Sequence, residues 1–172
     1  HPIHGESVFL RTRRHHLAPG AHAKRVGRSP ALLVVVGHHV VGGPGAGHTI
    51  KLLNNFIAQA ICNATAEAFA VGQRAGIDVK KLVELVSLGP VNCGLYQAMA
   101  KTLDGLKFEL DNARKDVRYY THLAEGLNCP SVMGEAVHQS LALASALGHG
   151  RKFVPSLVEA QEQLTGAKLV PR

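Results

Sequence analysis

The stretch that decides the reading of this chain is Gly45-Ala46-Gly47-His48-Thr49-Ile50-Lys51-Leu52-Leu53-Asn54-Asn55. A glycine-rich turn runs straight into a long helical pattern. From Gly47 to Ala75 there is no proline, and Gly72 is the one glycine after the turn itself. Ile50, Leu53, Ile57, Ala60, Ile61, Ala64 and Ala68 recur at steps of three and four, which predicts an amphipathic helix with that stripe as its buried face. Ala58, Ala66 and Ala70, small and uncharged, lie on the other side and let neighbours approach there too. At ~1.5 Å per residue such a helix is about 40 Å long, long enough to be a central spine. Lys51 and Asn55 stand four residues apart, so an amine and an amide share one helix face one turn apart.

Downstream, the punctuation predicts four or five shorter helices. Gly76 is placed to end the first helix, and Asp78 to cap one through Lys80–Ser87 that Gly89-Pro90 stops. Leu95, Met99 and Leu103 line a segment from Val91 to Leu103. Further helices are expected from about Leu110 to Gly126, from Cys129-Pro130 to Leu147, and from Pro155 to Leu164, with Gly148-His149-Gly150 as a break. The fold class is therefore all-α, built around one long helix. Lys168-Leu169-Val170-Pro171-Arg172 resembles a protease-cleavage linker, so residues 166–172 are expected to stand outside the fold.

Upstream the composition changes. Residues 1–41 hold six Lys/Arg against one acid, a net +5, and seven of the eleven histidines. Residues 42–172 hold thirteen Lys/Arg against eleven acids, a net +2. The charge of +7 is thus concentrated in an irregular segment rich in His, Arg, Gly and Pro, with room for one strand at Ala31–Val36. That segment has no interleaved aromatics, which argues against nucleic acid as a partner. His15-His16 and His38-His39 have no carboxylate or thiol beside them, so no metal site is expected. Three widely spaced cysteines, Cys62, Cys93 and Cys129, form neither a CxxC pair nor an even framework. Reduced thiols and the cytoplasm follow as the expectation. A mean hydropathy of +0.06 and the absence of an apolar run near ~20 residues exclude a membrane span.

The order of motifs resembles the C-terminal helical domain of the β-hydroxyacid dehydrogenases, nearest to their 3-hydroxyisobutyrate dehydrogenase group. The residues that carry the likeness are Gly45 to Asn55, Ala66-Glu67-Ala68, Gly76-Ile77-Asp78, and Gly89 followed by Asn92-Cys93-Gly94. Phe108 with Lys115-Asp116, Pro130, and Gly148-His149-Gly150 before Ser156-Leu157-Val158-Glu159 complete it, from about Gly42 to Leu164. The resemblance implies a fold like the 6-phosphogluconate dehydrogenase C-terminal domain. It also implies an NAD- or NADP-dependent oxidoreductase interconverting a small 3-hydroxy acid and its semialdehyde. Lys51 matches the catalytic lysine, Asn55 the substrate-holding amide, and Lys115 a lysine that reaches the cofactor; Phe108 would line the same cleft.

The chemistry suits these residue types. Hydride transfer to a carbonyl requires a proton for its oxygen, and the reverse reaction requires that proton's removal. An amine serves both directions if burial or neighbouring positive charge brings its pKa toward neutrality. Two related groups fit less well. The 6-phosphogluconate dehydrogenases carry His-Asn where Asn54-Asn55 stands and a glutamate where Ala58 stands, and imine reductases usually replace the lysine. Cys93 takes a place where relatives often have serine. No G-x-G-x-x-G follows a strand in this sequence. The chain therefore reads as the catalytic, substrate-binding part of such an enzyme, expected to be inactive and cofactor-free without a dinucleotide-binding domain. The alternatives are a semialdehyde (glyoxylate or succinic semialdehyde) reductase of the same superfamily, or a dimerisation module. A homodimer or higher homo-oligomer is expected in either case.

Overall fold

The computed structural model describes residues 44–101 and 106–169. The basic segment 1–41, its Ala31–Val36 run and Leu103 lie outside the described residues. Among the described residues six α-helices follow in chain order: α1 Ala46–Arg74, α2 Val79–Val86, α3 Gly94–Ala100, α4 Leu110–Gly126, α5 Val132–Ala144 and α6 Leu157–Thr165. The turn Ser145–His149 follows α5 and is broken by Gly148 at φ 94°, and a 3₁₀ turn, Val154–Ser156, leads into α6. Among the described residues there is no strand beyond an isolated bridge between Glu109 and Phe153. None of the described helices is long and apolar enough to cross a membrane.

The helix ends follow local chemistry. α1 closes with Gly76 at φ 85°, its N–H donating to the Gln73 carbonyl while Ile77 N–H reaches the Gly72 carbonyl, a glycine-ended cap. The Asp78 carboxylate accepts from Lys81 N–H at 3.0 Å and starts α2. α3 is shorter than the apolar spacing suggests, because it begins only at Gly94. The preceding loop is instead braced by side chains: Asn92 donates to the Ser87 carbonyl, and Gln97 to both Ser87 Oγ and Asn92 Oδ1.

α1 is the spine, in contact with α2, α3, α4, α5 and α6. Its buried face, however, is not the expected one. Leu52, Gln59, Cys62, Asn63, Ala66, Phe69 and Ala70 are buried, whereas Leu53 is 42% and Ile57 57% exposed, with Ala64 and Ala68 also exposed. Both sides of α1 are apolar, and periodicity alone cannot tell which one its own chain covers. The covered side carries the groups that find partners here. Phe69 meets the Tyr96 ring edge-on at 5.9 Å, and Cys62 and Ala66 join Met99, Leu110, Val117, Leu141 and Val158 in the core.

α4 and α5 pack closely because Gly134 faces Tyr120; a Cβ there would stand 2.3 Å from Ser131 Oγ and 2.6 Å from the Tyr120 ring. The tail corrects a second expectation. Ala167 and Leu169 are buried members of the core, so the described part of 166–172 packs with the fold rather than trailing from it. Their small and branched side chains cover apolar surface whatever the run resembles.

Candidate active site

Gly45 adopts φ 93°, a left-handed conformation that glycine enters without a Cβ penalty, and its carbonyl accepts from Thr49 N–H at 3.0 Å. This turn sets the start of α1, so Lys51 and Asn55 fall on the side that faces α4. There they meet one carboxylate. Asn55 Nδ2 donates to Asp116 Oδ2 at 2.7 Å, and Lys51 Nζ lies 3.3 Å from the same oxygen. Asp116 is nearly buried, its side chain 5% exposed, whereas the Lys51 side chain is 39% exposed. One turn along each helix the rings of Phe56 and Tyr120 stack 4.1 Å apart with planes 3° from parallel. That stack holds α1 and α4 in the register that puts Asp116 opposite both residues.

The donors are not exhausted by this contact. Asn55 has two amide N–H groups and spends one on Asp116; its Oδ1 also accepts from Asn54 Nδ2 at 3.3 Å. Lys51 presents its remaining N–H groups to the open side. A partly exposed amine and an amide N–H therefore converge on one place, steadied from below by a buried anion. The surroundings expected for the lysine were burial or a neighbouring cation; the structure places an acid there instead.

The family model described as NAD-binding of NADP-dependent 3-hydroxyisobutyrate dehydrogenase matches residues 45–160. The chain belongs to this family. It is 28% identical over 124 residues to glyoxylate/succinic semialdehyde reductase 2, chloroplastic, of Arabidopsis thaliana, covering 70% of this chain and 35% of that protein. It is 28% identical over 150 residues to 3-sulfolactaldehyde reductase of Escherichia coli, covering 83% and 50%. With human mitochondrial 3-hydroxyisobutyrate dehydrogenase the identity is 26% over 141 residues, covering 74% and 42%. The crystal structure of a 3-hydroxyisobutyrate dehydrogenase from Salmonella typhimurium superimposes with a TM-score of 0.62 at 26% identity, over 67% of this chain and 42% of that one. The chain thus spans between a third and a half of the length of these relatives. Membership places it among the β-hydroxyacid dehydrogenases, whose matched members here are hydroxyacid dehydrogenases and semialdehyde reductases.

The other residues singled out in this β-hydroxyacid dehydrogenase chain are not drawn to the shared carboxylate. Lys115 is exposed on α4, and its Nζ reaches Asn112 Oδ1 at 3.5 Å. Phe108 is half-buried before α4, packed against the core, with its carbonyl accepting from Val154 N–H at 2.8 Å. The residue that sequence reasoning passed over is Asp116, quoted there only beside Lys115 as part of the likeness and given no role of its own. The signal was present. Ala113, Val117, Thr121 and Ala124 form the buried stripe of α4, and Asp116 is the acid that falls on it. A carboxylate on a core-facing stripe needs a partner, and Lys51 and Asn55 are the partners.

Among the described residues no group of three or more His, Cys, Asp or Glu stands together as a metal site would require. Of the cysteines, Cys62 is fully buried, and burial with Cys93 nearby pushes its thiol up to about 12. It is an inert core residue at neutral pH.

Proposed function

We propose that this chain is the catalytic and substrate-binding helical unit of an NAD- or NADP-dependent dehydrogenase or reductase, acting on a small 3-hydroxy acid or its semialdehyde. The observation that carries the reading is the Asp116 carboxylate, which gathers Lys51 Nζ and Asn55 Nδ2 at one point of α1. Their arrangement fits a carbonyl or hydroxyl oxygen of substrate: Asn55's free N–H holds it, and Lys51 exchanges a proton with it. In the reducing direction Lys51 gives its proton to the oxygen as the carbonyl carbon takes up hydride; in the oxidising direction Lys51 takes the hydroxyl proton. A bound nicotinamide supplies or accepts the hydride. Lys115 has an exposed ammonium with one long contact, so it is available to a polar or anionic group of that cofactor, and Phe108 would close the side of the same cleft.

Glyoxylate, succinic semialdehyde and 3-sulfolactaldehyde, the substrates in the relatives' names, define the class to test. The helical arrangement is read as that of the 6-phosphogluconate dehydrogenase C-terminal domain, working with a dinucleotide-binding domain. Three free thiols suit a reducing compartment such as the cytoplasm. A homo-oligomer is the expected assembly.

The test is a spectrophotometric assay of NADH and NADPH oxidation with these aldehydes. The 172-residue chain alone should show no turnover, and an enzyme that joins it to a dinucleotide-binding domain should be active. Lys51→Ala in that enzyme should lower kcat by ~10²-fold or more, the scale of a lost general acid–base group. Near-normal turnover by Lys51→Ala would reject the assignment.

A further inference from the structure

Tyr120 stands one turn after Asp116 on α4, and Phe56 directly follows Asn55 on α1. The two helices therefore touch at neighbouring places, once through a carboxylate and once through a pair of rings. The polar contact tolerates little movement. Asn55 Nδ2 donates to Asp116 Oδ2 at 2.7 Å, and such a bond is lost beyond about 3.2 Å. The aromatic contact is stiff, with the rings of Phe56 and Tyr120 face to face, centroids 4.1 Å apart and planes 3° from parallel.

Tyr120 is also held from a third helix. Gly134 of α5 lies so near that a Cβ there would stand 2.6 Å from Tyr120 Cε1 and 3.0 Å from its Cδ1, with Ser131 Oγ at 2.3 Å. Ser131 Oγ is buried and has no hydrogen-bond partner, so close packing and not a polar bond closes this corner. Ala113, Val117, Thr121 and Ala124, the buried stripe of α4, are all short side chains. Tyr120 supplies the large contact with α1 within a turn of Asp116.

We infer that Tyr120, wedged between Phe56 of α1 and Gly134 of α5, is a positioning residue whose ring sets the Asp116 carboxylate against α1 and so aims the Asn55 amide. The inference rests on the roles proposed above for Lys51 and Asn55. Its effect on the two is unequal. The short Asn55 side chain cannot follow a carboxylate that shifts by half an ångström or so. Lys51, on a flexible four-carbon stem and 39% exposed, can. Loss of the ring therefore weakens the hold on substrate more than the exchange of its proton, and KM moves before kcat.

The first arm of the test needs no activity. In ¹H–¹⁵N spectra of the 172-residue chain the Asn55 side-chain amide is identified by its loss in Asn55→Ala. In Tyr120→Leu that signal should move to the place it takes in Asp116→Ala, and its protons should exchange with water ~10-fold faster or more, the scale of a lost hydrogen bond to a charged group. Phe56→Leu, which removes the other ring, should do the same and serves where Tyr120→Leu fails to fold. Tyr120→Phe keeps the ring and should match the unsubstituted chain. Val158→Ala, a truncation in the core on α6, should lower stability and leave the signal in place.

The second arm is kinetic. In an enzyme that joins the chain to a dinucleotide-binding domain, Tyr120→Leu should raise KM for the aldehyde ~10-fold with a smaller change in kcat, and Tyr120→Phe should restore both. An Asn55 signal unmoved by the loss of either ring, a Tyr120→Phe chain that behaves as Tyr120→Leu, or a signal displaced equally by Val158→Ala would each overturn the inference. An unchanged KM beside a displaced signal would overturn it too. Near-normal turnover by Lys51→Ala would instead strike the catalytic reading and leave the first arm standing.

Discussion

Removing the Asp116 carboxylate separates two contacts that one oxygen now serves, and their magnitudes should differ. At 3.3 Å the bare attraction between Lys51 Nζ and Oδ2 is about 5 kcal/mol at an effective dielectric of 20 and about 1.3 kcal/mol in water. The lysine is 39% exposed, so the pair sits toward the water limit, where such couplings measure ~0.2–1 kcal/mol. Asn55 Nδ2 donates to the same carboxylate at 2.7 Å in a part-buried setting, and a hydrogen bond to a charged group contributes ~1.5–3 kcal/mol.

Double-mutant cycles by urea denaturation of the chain decide between these contacts. Asp116→Ala with Asn55→Ala should give a coupling of ~1.5–3 kcal/mol, and Asp116→Ala with Lys51→Met less than ~1 kcal/mol. The lysine coupling should also shrink as salt is raised, because it is the exposed charge pair. A Lys51 coupling equal to or larger than that of Asn55 would refute the reasoning. On the proposed mechanism this difference matters, because the lysine has to be free to move toward a substrate while the amide beside it stays fixed.

Two further outcomes follow from packing and charge. Burial lowers the pKa of His138 from 6.5, with Arg114, Arg118 and His122 of α4 lowering it further against Glu135 on its own helix. The folded state thus keeps His138 neutral, its contribution is present above pH 6.5 and is lost as pH falls through the lower folded value, and His138→Gln should flatten that acid-side loss in urea titrations between pH 5 and 8. Gly134→Ala should cost ~1–3 kcal/mol in thermal or urea unfolding, because the added methyl meets Ser131 Oγ at 2.3 Å and the Tyr120 ring at 2.6 Å, with a change in near-ultraviolet circular dichroism as the Phe56 stack shifts.

Helix limits were the most legible part of the fold, because they are written in local chemistry. α4 occupies Leu110–Gly126 as its flanking residues predict, and Gly76 and Asp78 end one helix and start the next where expected. The facing of α1 was not legible, since both of its sides satisfy an apolar period and only the positions of the other helices choose between them. The tail misled for a similar reason: Leu169 belongs to a run that resembles a linker, but burial depends on what surface lies within reach. At the candidate site, spacing on a single helix put Lys51 and Asn55 on one face, and only the resemblance gave them their proposed roles. Asp116 lies 61 residues from Asn55, and only the packing of α4 on α1 reveals that one carboxylate serves both.

α1 serves as the spine of the fold and as one wall of the candidate site on different parts of its surface. Between Leu52 and Ala66 it has no charged residue, and Gln59, Cys62, Asn63, Thr65 and Ala66 are buried there against the other helices. Its own chain covers one side, with Lys51 and Asn55 at the open end of the groove against α4. The other side points about 200° away from that cleft. A helix whose middle is small and uncharged, and whose chemistry is confined to its first turns, meets both requirements at once.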